Sequence, residues 1–531
     1  MGNQVCNNKG GKISDYFSFE DIFANFDKRI SLQTIVVPLP LNSTRMKKTL
    51  LFFVFTCFSA CFAQITTPGT GQSFTFGDFV NDPSGAVAAI EPGRFTLTQN
   101  LTISSTDTLW LDAATLSVQV ADSVTITISG CVLCEDRNNT LEISGMQANS
   151  NTRFQWRFEE ASSSVLKNLK IEAGESITLI QSSVSIQNCE FSQFNSQVIK
   201  YINCNPVILH CDFHDNRQAA ISSGANVTGS PIICYNRFYH NVTDNGNQPQ
   251  INLGPGTSGQ DIVIEGNTIE GCSPMSGGIA IANLMNIGYT TAVIRNNTVE
   301  NNRYGYTQQG SSMYALIEDN TFRNNNLETN PMNGGSGTSI YGNDTTCAAK
   351  LRRNVITGKL WGITAIYYHN IDMGTADDYG HNSLYDNGND GTTYALYNNA
   401  VSSMTAVGNY WGGNTEEFAE SVIFHRPDLG DNYGRVLYSP ILTEEQESVA
   451  NYEKMTAHLY PNPTCNTLTV ETDKPIREIT IFDQMGRMVA VETFHKMSLQ
   501  WNLNIASLHA GIYIIKVVTS NGTETAKFVK N

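Results

Sequence analysis

Ile262-Val263-Ile264-Glu265-Gly266-Asn267-Thr268-Ile269-Glu270 returns thirty residues later as Ala292-Val293-Ile294-Arg295-Asn296-Asn297-Thr298-Val299-Glu300. Working outward from this pair, an Asn followed two places on by an apolar residue recurs as Asn236/Phe238, Asn320/Phe322, Asn354/Ile356, Asn382/Leu384 and Asn409/Trp411. Three earlier copies put Leu169, Cys189 and Cys211 in the Asn position, ahead of Ile171, Phe191 and Phe213. Neighbouring copies lie 20 to 34 residues apart. A second polar column falls five residues after the first, at Asn216, Asn241, Asn302, Asn325, Asn387 and Asn414, with Cys272 in the same place. Helical repeats would space apolar residues by three and four over a dozen positions, and these segments do not. Short β runs between Asn/Gly turns fit one coil of a parallel β-helix per repeat. Each coil needs sharp corners, and Asn is expected there because it tolerates the left-handed conformation. Coils stack at about 4.8 Å, so equivalent amides bond from coil to coil, and 12 or 13 coils make a rod on the order of 60 Å long. Cysteine replaces Asn where a corner side chain faces inward and packs as a small hydrophobe.

Composition bounds the rest. Of 531 residues, 33 are basic and 49 acidic, a net charge of −16, and 40% are hydrophobic. That apolar content is enough for a core and argues against long disorder. The acidity argues against nucleic acid, which needs a concentrated basic surface. Met46-Lys47-Lys48, the apolar run Leu50 to Phe58 and the small Ala63 read as a secretory signal over 46–63, with residues 1–45 a mis-assigned upstream segment. The apolar run is too short to span a bilayer, so no transmembrane segment is expected in the mature chain. Residues 1–63 hold seven basic and four acidic residues, which leaves 26 positive and 45 negative charges, net −19, and nine of the twelve cysteines. Cys131-Val132-Leu133-Cys134 has no second CxxC or His pair, so scattered buried thiols with one or two disulfides are expected rather than zinc.

The Asn repeat resembles the right-handed parallel β-helix family typified by pectate lyases and NosD-like repeat proteins. Residues 90–150 look like its first coils, with Asp107-Thr-Leu-Trp-Leu111 and Val124-Thr-Ile-Thr-Ile-Ser-Gly130 alternating cleanly. Asn409-Tyr410-Trp411-Gly412-Gly413 resembles the signature that often closes such helices. The resemblance implies a β-helix passenger over 64–445. Its motifs recur across many activities, so it implies little about function.

Residues 446–458 are polar, lack the repeat and read as a linker. From Leu459 the pattern changes. Leu459-Tyr460-Pro461-Asn462-Pro463, Leu468-Thr-Val470, Ile479-Thr-Ile481-Phe-Asp483-Gln-Met-Gly486-Arg487, Ala510-Gly511-Ile512-Tyr513 and Thr525-Ala-Lys527-Phe528-Val529 predict alternating strands with frequent turns. The expected fold class is all-β: a right-handed parallel β-helix followed by a small immunoglobulin-like β-sandwich. Residues 459–531 resemble the type A C-terminal sorting domain of the type IX secretion system. That resemblance implies recognition by the type IX machinery, and secretion or attachment to the outer surface of a Gram-negative outer membrane.

A β-helix turns sequence columns into surface rows, so candidate sites can be tested by stacking. Glu265, Arg295, Glu318 and Arg352 share a row and read as a ladder of opposite charges. Stacking the next candidates puts Asp212 beside Arg237, His214 beside Tyr239 and Asp215 beside His240, the row continuing to Glu270 and Glu300. His214, Arg237 and Tyr239 are the catalytic candidates: His or Tyr to abstract a proton, Arg to stabilise developing charge. The bland reading of the same patch is paired surface charges with exposed aromatics. His240, Asp215, Trp361 and Tyr368 are the substrate-binding candidates, for an acidic or neutral sugar. Asp377-Asp378-Tyr379-Gly380-His381 superficially resembles polygalacturonase carboxylates, without the flanking motifs. Asp386-Asn-Gly-Asn389-Asp390-Gly391 is rich enough in oxygen for Ca²⁺, but Gly388 occupies a ligand position of the EF-hand-like spacing, so a solvated turn is the favoured reading. No other cofactor or metal is expected. The functional expectation is an exported protein contacting carbohydrate or host surfaces, the alternative a polysaccharide lyase or glycoside hydrolase.

Overall fold

The computed structural model describes residues 64–135, 140–146, 153–445, 458–464, 466–483, 488–509, 511–519 and 522–530. The upstream segment, the signal, linker residues 446–457, Cys465, Gly486-Arg487 and Ala510 lie outside them. The chain divides into two compact units, one ending at Gln446 and one starting at Glu447.

In the first unit, each full coil from Leu141 onward contributes a strand to each of three long sheets of fourteen, thirteen and eleven strands, parallel apart from the antiparallel pair Val87–Glu91 and Arg94–Leu97, while the first coils place their third strand in a separate three-stranded sheet. Sequence spacing and register agree. Ile171, Phe191, Phe213, Phe238, Ile269, Val299, Phe322, Ile356 and Leu384 are successive partners in the thirteen-stranded sheet. All of them point into the core. Phe213 lies between Phe191 and Phe238, with ring centroids 4.9 and 5.0 Å away. This is the coil spacing expressed in side chains.

The first amide column is continuous. The Nδ2 groups of Asn236, Asn267, Asn297, Asn320, Asn354 and Asn382 each donate to the Oδ1 of the next, at 2.8–3.0 Å, ending at Asn409. That same Oδ1 also accepts the preceding asparagine's backbone N–H. The expectation that these asparagines adopt the left-handed conformation is corrected. The residue before each one turns the corner: Tyr235, Gly266, Asn296, Asp319, Arg353, His381 and Gly408 have φ between 51° and 69°. That left-handed residue swings the chain so that the following side chain points inward, where only a group able both to donate and to accept is satisfied. Asn is selected for its amide, not for its backbone. Cys189 and Cys211 confirm this division of labour, because their thiols donate to the carbonyls of Leu166 and Ile186 as the amides do elsewhere.

The second column is interrupted. Asn216 donates to Asn241 at 2.8 Å, and Asn302 bonds to Asn325. Cys272 is exposed and stands outside the column. Gln250 fills the gap from the fourteen-stranded sheet, accepting from Asn241 at 2.9 Å and donating to Asn302 at 3.0 Å. One coil after Asn325 the position belongs to Lys359, and Asn387 ends the column. Asn414 is exposed and takes no part, because the chain there leaves the solenoid. The helix Glu416–Val422, capped by Thr415, follows, and buried Trp411 packs in the core below it.

The eight described cysteines are free thiols, so the disulfides expected from sequence do not form among them. No described helix is long and apolar enough to cross a membrane. The second unit is antiparallel, with strands His458–Tyr460, Thr467–Phe482, Met488–Asn504, Gly511–Thr519 and Gly522–Lys530. Leu468, Val470, Ile479, Ile481, Ile515, Val517 and Phe528 build its own core, in the manner of a small immunoglobulin-like β-sandwich. His458, assigned to the linker from sequence, opens its first strand.

Candidate functional site

Two three-residue strands carry the proposed catalytic group. Asp212–His214 and Arg237–Tyr239 are adjacent in the thirteen-stranded sheet, pairing Asp212 with Arg237, Phe213 with Phe238 and His214 with Tyr239. Alternation along a strand buries the central Phe and turns its two neighbours outward. The flanking corners carry His210, Asp215, Tyr235 and His240, all with φ between 52° and 58°. These positive angles recur in coils that carry no such side chains, so they belong to the architecture and not to a strained catalytic site.

The rings form two stacked pairs. His214 lies over Tyr239 at 4.9 Å and 8°, and His210 over Tyr235 at 5.3 Å and 11°. Arg237 does not pair with Asp212 as the register alone would suggest; its guanidinium carbon sits 4.1 Å above the centre of the Tyr239 ring. Both nitrogens of His214 face carboxylates, Nδ1 at 2.8 Å from Asp215 and Nε2 at 3.3 Å from Glu190. Asp215 lies 3.5 Å from His240 through its other oxygen. Burial pushes the Tyr239 pKa up, and Asp212, Asp215 and Glu190 push it further against the opposing effect of Arg237. This arrangement suits contact better than proton abstraction. Both His214 nitrogens are engaged by carboxylates here, and the Tyr239 proton is held more tightly than usual.

Glu190 escaped the sequence reading. It stacks on Asp212 in register, and carrying the row back one coil would have found it. Of the candidate residues, His214, Asp215, Arg237, Tyr239 and His240 come together. Trp361 and Tyr368 belong to a coil four beyond that of Arg237 and Tyr239. Trp361 opens the strand Trp361–Tyr367 of the fourteen-stranded sheet, donates from Nε1 to the Pro331 carbonyl at 2.9 Å, and packs 4.6 Å from Tyr394 and 5.2 Å from Tyr397. Tyr368 is exposed just beyond that strand.

The remaining candidates have structural occupations. Arg295 bonds to Glu265 at 2.9 Å, as the charge ladder predicts, but Arg352 turns from Glu318 to Asp372 and Asp378. Asp378, held by Arg352 and Lys350, has its pKa lowered to about 2. The oxygen-rich Asp386–Gly391 stretch leads into a hairpin between Gly388–Asn389 and Thr392–Thr393 whose turn residues, Asp390 and Gly391, have φ of 50° and 80°. It lines a cavity of about 520 Å³ with Trp411 and Phe418. Among the described residues, no three His, Cys, Asp or Glu are placed to hold a metal ion.

Comparison with known proteins agrees with both units. Residues 157–322 match the right-handed β-helix region family, and residues 458–531 match the secretion system C-terminal sorting domain. No curated relative matches the sequence. Among solved structures, the periplasmic alginate epimerase AlgG is similar at 12% identity and a TM-score of 0.42, over 69% of this chain and 83% of that one. A tailspike protein of E. coli bacteriophage HK620, in complex with a pentasaccharide, is similar at 8% identity and a TM-score of 0.35, over 86% and 92%. The chain therefore joins a right-handed parallel β-helix to a type IX secretion C-terminal sorting domain, which marks it for secretion or display at the cell surface.

Proposed function

We propose that this protein is a type IX passenger, released or held on the outer surface of the outer membrane, that binds glycans along the flank of its β-helix without cleaving them. The observation that carries the reading is the pair of ring stacks His210/Tyr235 and His214/Tyr239, which lie side by side between two successive coils. The outward ring edges of two successive coils offer apolar contact to a pyranose, and the surrounding His, Arg and carboxylate groups offer hydrogen bonds to its hydroxyls. The geometry disfavours the lyase or glycosidase alternative, because both His214 nitrogens are engaged and the Tyr239 proton is held more tightly than usual.

The test uses the full chain against a panel of neutral and uronic-acid polysaccharides. The expected result is retention on at least one glycan, weakened about tenfold or more in Y239A, with no new reducing ends and no ultraviolet absorbance from unsaturated uronides. Chain shortening of any polymer would overturn the binding reading in favour of catalysis. Undiminished retention in Y239A and H214A would remove this patch as the contact.

A further inference from the structure

Two arginines of the described β-helix are buried below a tenth of their surface, Arg352 at 2% and Arg303 at 8%. They are neutralised differently. Arg352 donates from Nη2 to both Asp372 and Asp378 at 2.8 Å. Arg303 has no carboxylate within ion-pair distance among the described residues. Its Nε donates to the Asn333 carbonyl at 2.5 Å and its Nη1 to Oδ1 of Asn247, both neutral acceptors. Burial pulls its pKa down, with Tyr304 and Glu328 opposing only part of the effect. A guanidinium stays charged in a protein, and a buried charge without a counter-charge is costly. That cost calls for a partner.

The surroundings form a defined place. Arg303 sits where the chain passes from the strand Thr298–Glu300 to the strand Tyr306–Gly310. Asn247 and Asn333 come from separate loops, so the guanidinium ties segments 242–248 and 326–335 to one corner. Trp361 fixes the second loop through Pro331, and Asn326 fixes it through the Gly358 carbonyl at 3.0 Å. Gly334 lies against the arginine stem, where an added Cβ would fall 2.7 Å from Cγ. One coil back, Ser276 accepts the Arg303 backbone N–H at 2.7 Å while its own buried hydroxyl has no partner. Nη2 carries no hydrogen bond among the described residues. The corner thus holds a cationic donor without an ion pair in an otherwise strongly acidic chain.

We propose that Arg303 forms an oxyanion-binding site at this corner, and that its ligand is a carboxylate or sulfate. A planar guanidinium edge matches either group, and the anion would supply the missing counter-charge. The anion arrives either on an acidic glycan or as a free ion. This site is separate from the ring stacks of the glycan-binding reading and stands or falls apart from them.

The experiment is calorimetry on the full chain at constant ionic strength in chloride, with three titrants: a uronic-acid oligosaccharide, a neutral oligosaccharide of equal length and inorganic sulfate. Uronate binding that R303Q weakens at least tenfold, with neutral-sugar binding unchanged, supports the site and assigns it to acidic glycans. Sulfate binding lost in the same variant, without uronate binding, supports it and assigns it to a free anion. Equal affinities in R303Q, no binding of either anion, or loss in Y239A but not R303Q overturns it. Because R303Q also removes a loop clamp, hydrogen exchange over 326–335 is measured in the unmodified chain with and without the anion. Slowed exchange supports the site, and unchanged exchange overturns it.

Discussion

Two columns of inward-facing side chains run beside the same thirteen-stranded sheet, one at the entry to its strands and one at the exit. At the entry, seven asparagines from Asn236 to Asn409 form an unbroken chain of side-chain bonds. At the exit, Cys272 turns out, Gln250 reaches in from another sheet, and Lys359 stands where an amide would be. The core residues between them are equally buried in both stretches. The fold therefore tolerates a broken column provided the neighbouring one is whole. What the difference teaches is where solenoid stability is concentrated: at the corner whose side chain satisfies two donors and two carbonyls at once.

The largest effect should come from breaking the intact column at its centre. Asn297 accepts from the backbone N and the Nδ2 of Asn267, and its own Nδ2 donates to the Ile264 carbonyl at 2.9 Å and to Asn320 at 2.9 Å. N297A strips buried partners from both sides, and water has little access to replace them. Loss of about 4 kcal/mol is expected, at roughly 1–3 kcal/mol per stranded group with partial relaxation. Urea unfolding followed by far-UV circular dichroism measures it. A loss below 1 kcal/mol would show that the column follows the stack without holding it.

Breaking the patch in the other column should cost about half as much. Gln250 bonds Asn241, Asn302 and the Glu270 carbonyl. In Q250A, Asn241 keeps its bond to the Phe213 carbonyl at 2.9 Å, so fewer groups are stranded. The expected loss is about 2 kcal/mol by the same unfolding measurement. If Q250A costs more than N297A, the contrast between the columns is inverted and the patch is the true keystone.

The sequence made much of this legible, and for one reason. In a solenoid, residues in contact share a column, so counting from Asn267 to Asn297 already states which side chains touch. The register of Phe213 on Phe238, the burial of the amides and the outward row from His214 to Glu300 all follow from that counting. What counting could not give is any contact that leaves the column. Gln250 crosses from a neighbouring sheet, and Arg303 meets loops 56 and 30 residues away. Arg237 prefers the ring of Tyr239 to the carboxylate it stacks beside. The left-handed angle was assigned to Asn itself because Asn tolerates it, yet Tyr235, Arg353 and His381 adopt it in the residue before. There the packing gain of an inward amide outweighs the local preference of the residue that makes the turn. The candidate site was half legible by the same logic: neighbours within a row were found, while Trp361 belongs to a different sheet and Tyr368 lies just beyond its strand.

The smallest expected effect has the opposite sign and repairs the broken column. Lys359 is almost wholly buried and its Nζ has no hydrogen-bond partner, so burial drives its pKa well below that of an exposed lysine. Asn325, one coil before, donates its Nδ2 only to the Val299 carbonyl, whereas the Lys359 backbone N–H already reaches Asn387 at 3.1 Å. In K359N the introduced amide has a carboxamide neighbour on each side and removes a buried amine. A gain of about 1 kcal/mol at neutral pH is expected, after the volume lost from a long side chain is set against one satisfied polar group. The sign with pH follows from linkage. The unfolded lysine binds a proton up to about pH 10.4 while the folded one has released it at lower pH, so the unmodified chain gains stability as pH rises through that window. The advantage of K359N should therefore be larger at neutrality and shrink as pH approaches 10. Equilibrium unfolding of both chains at pH 7 and pH 9.5 checks it. An advantage that is absent at pH 7, or that grows with pH, would mean that Lys359 is satisfied in the folded chain and that the second column is not broken there.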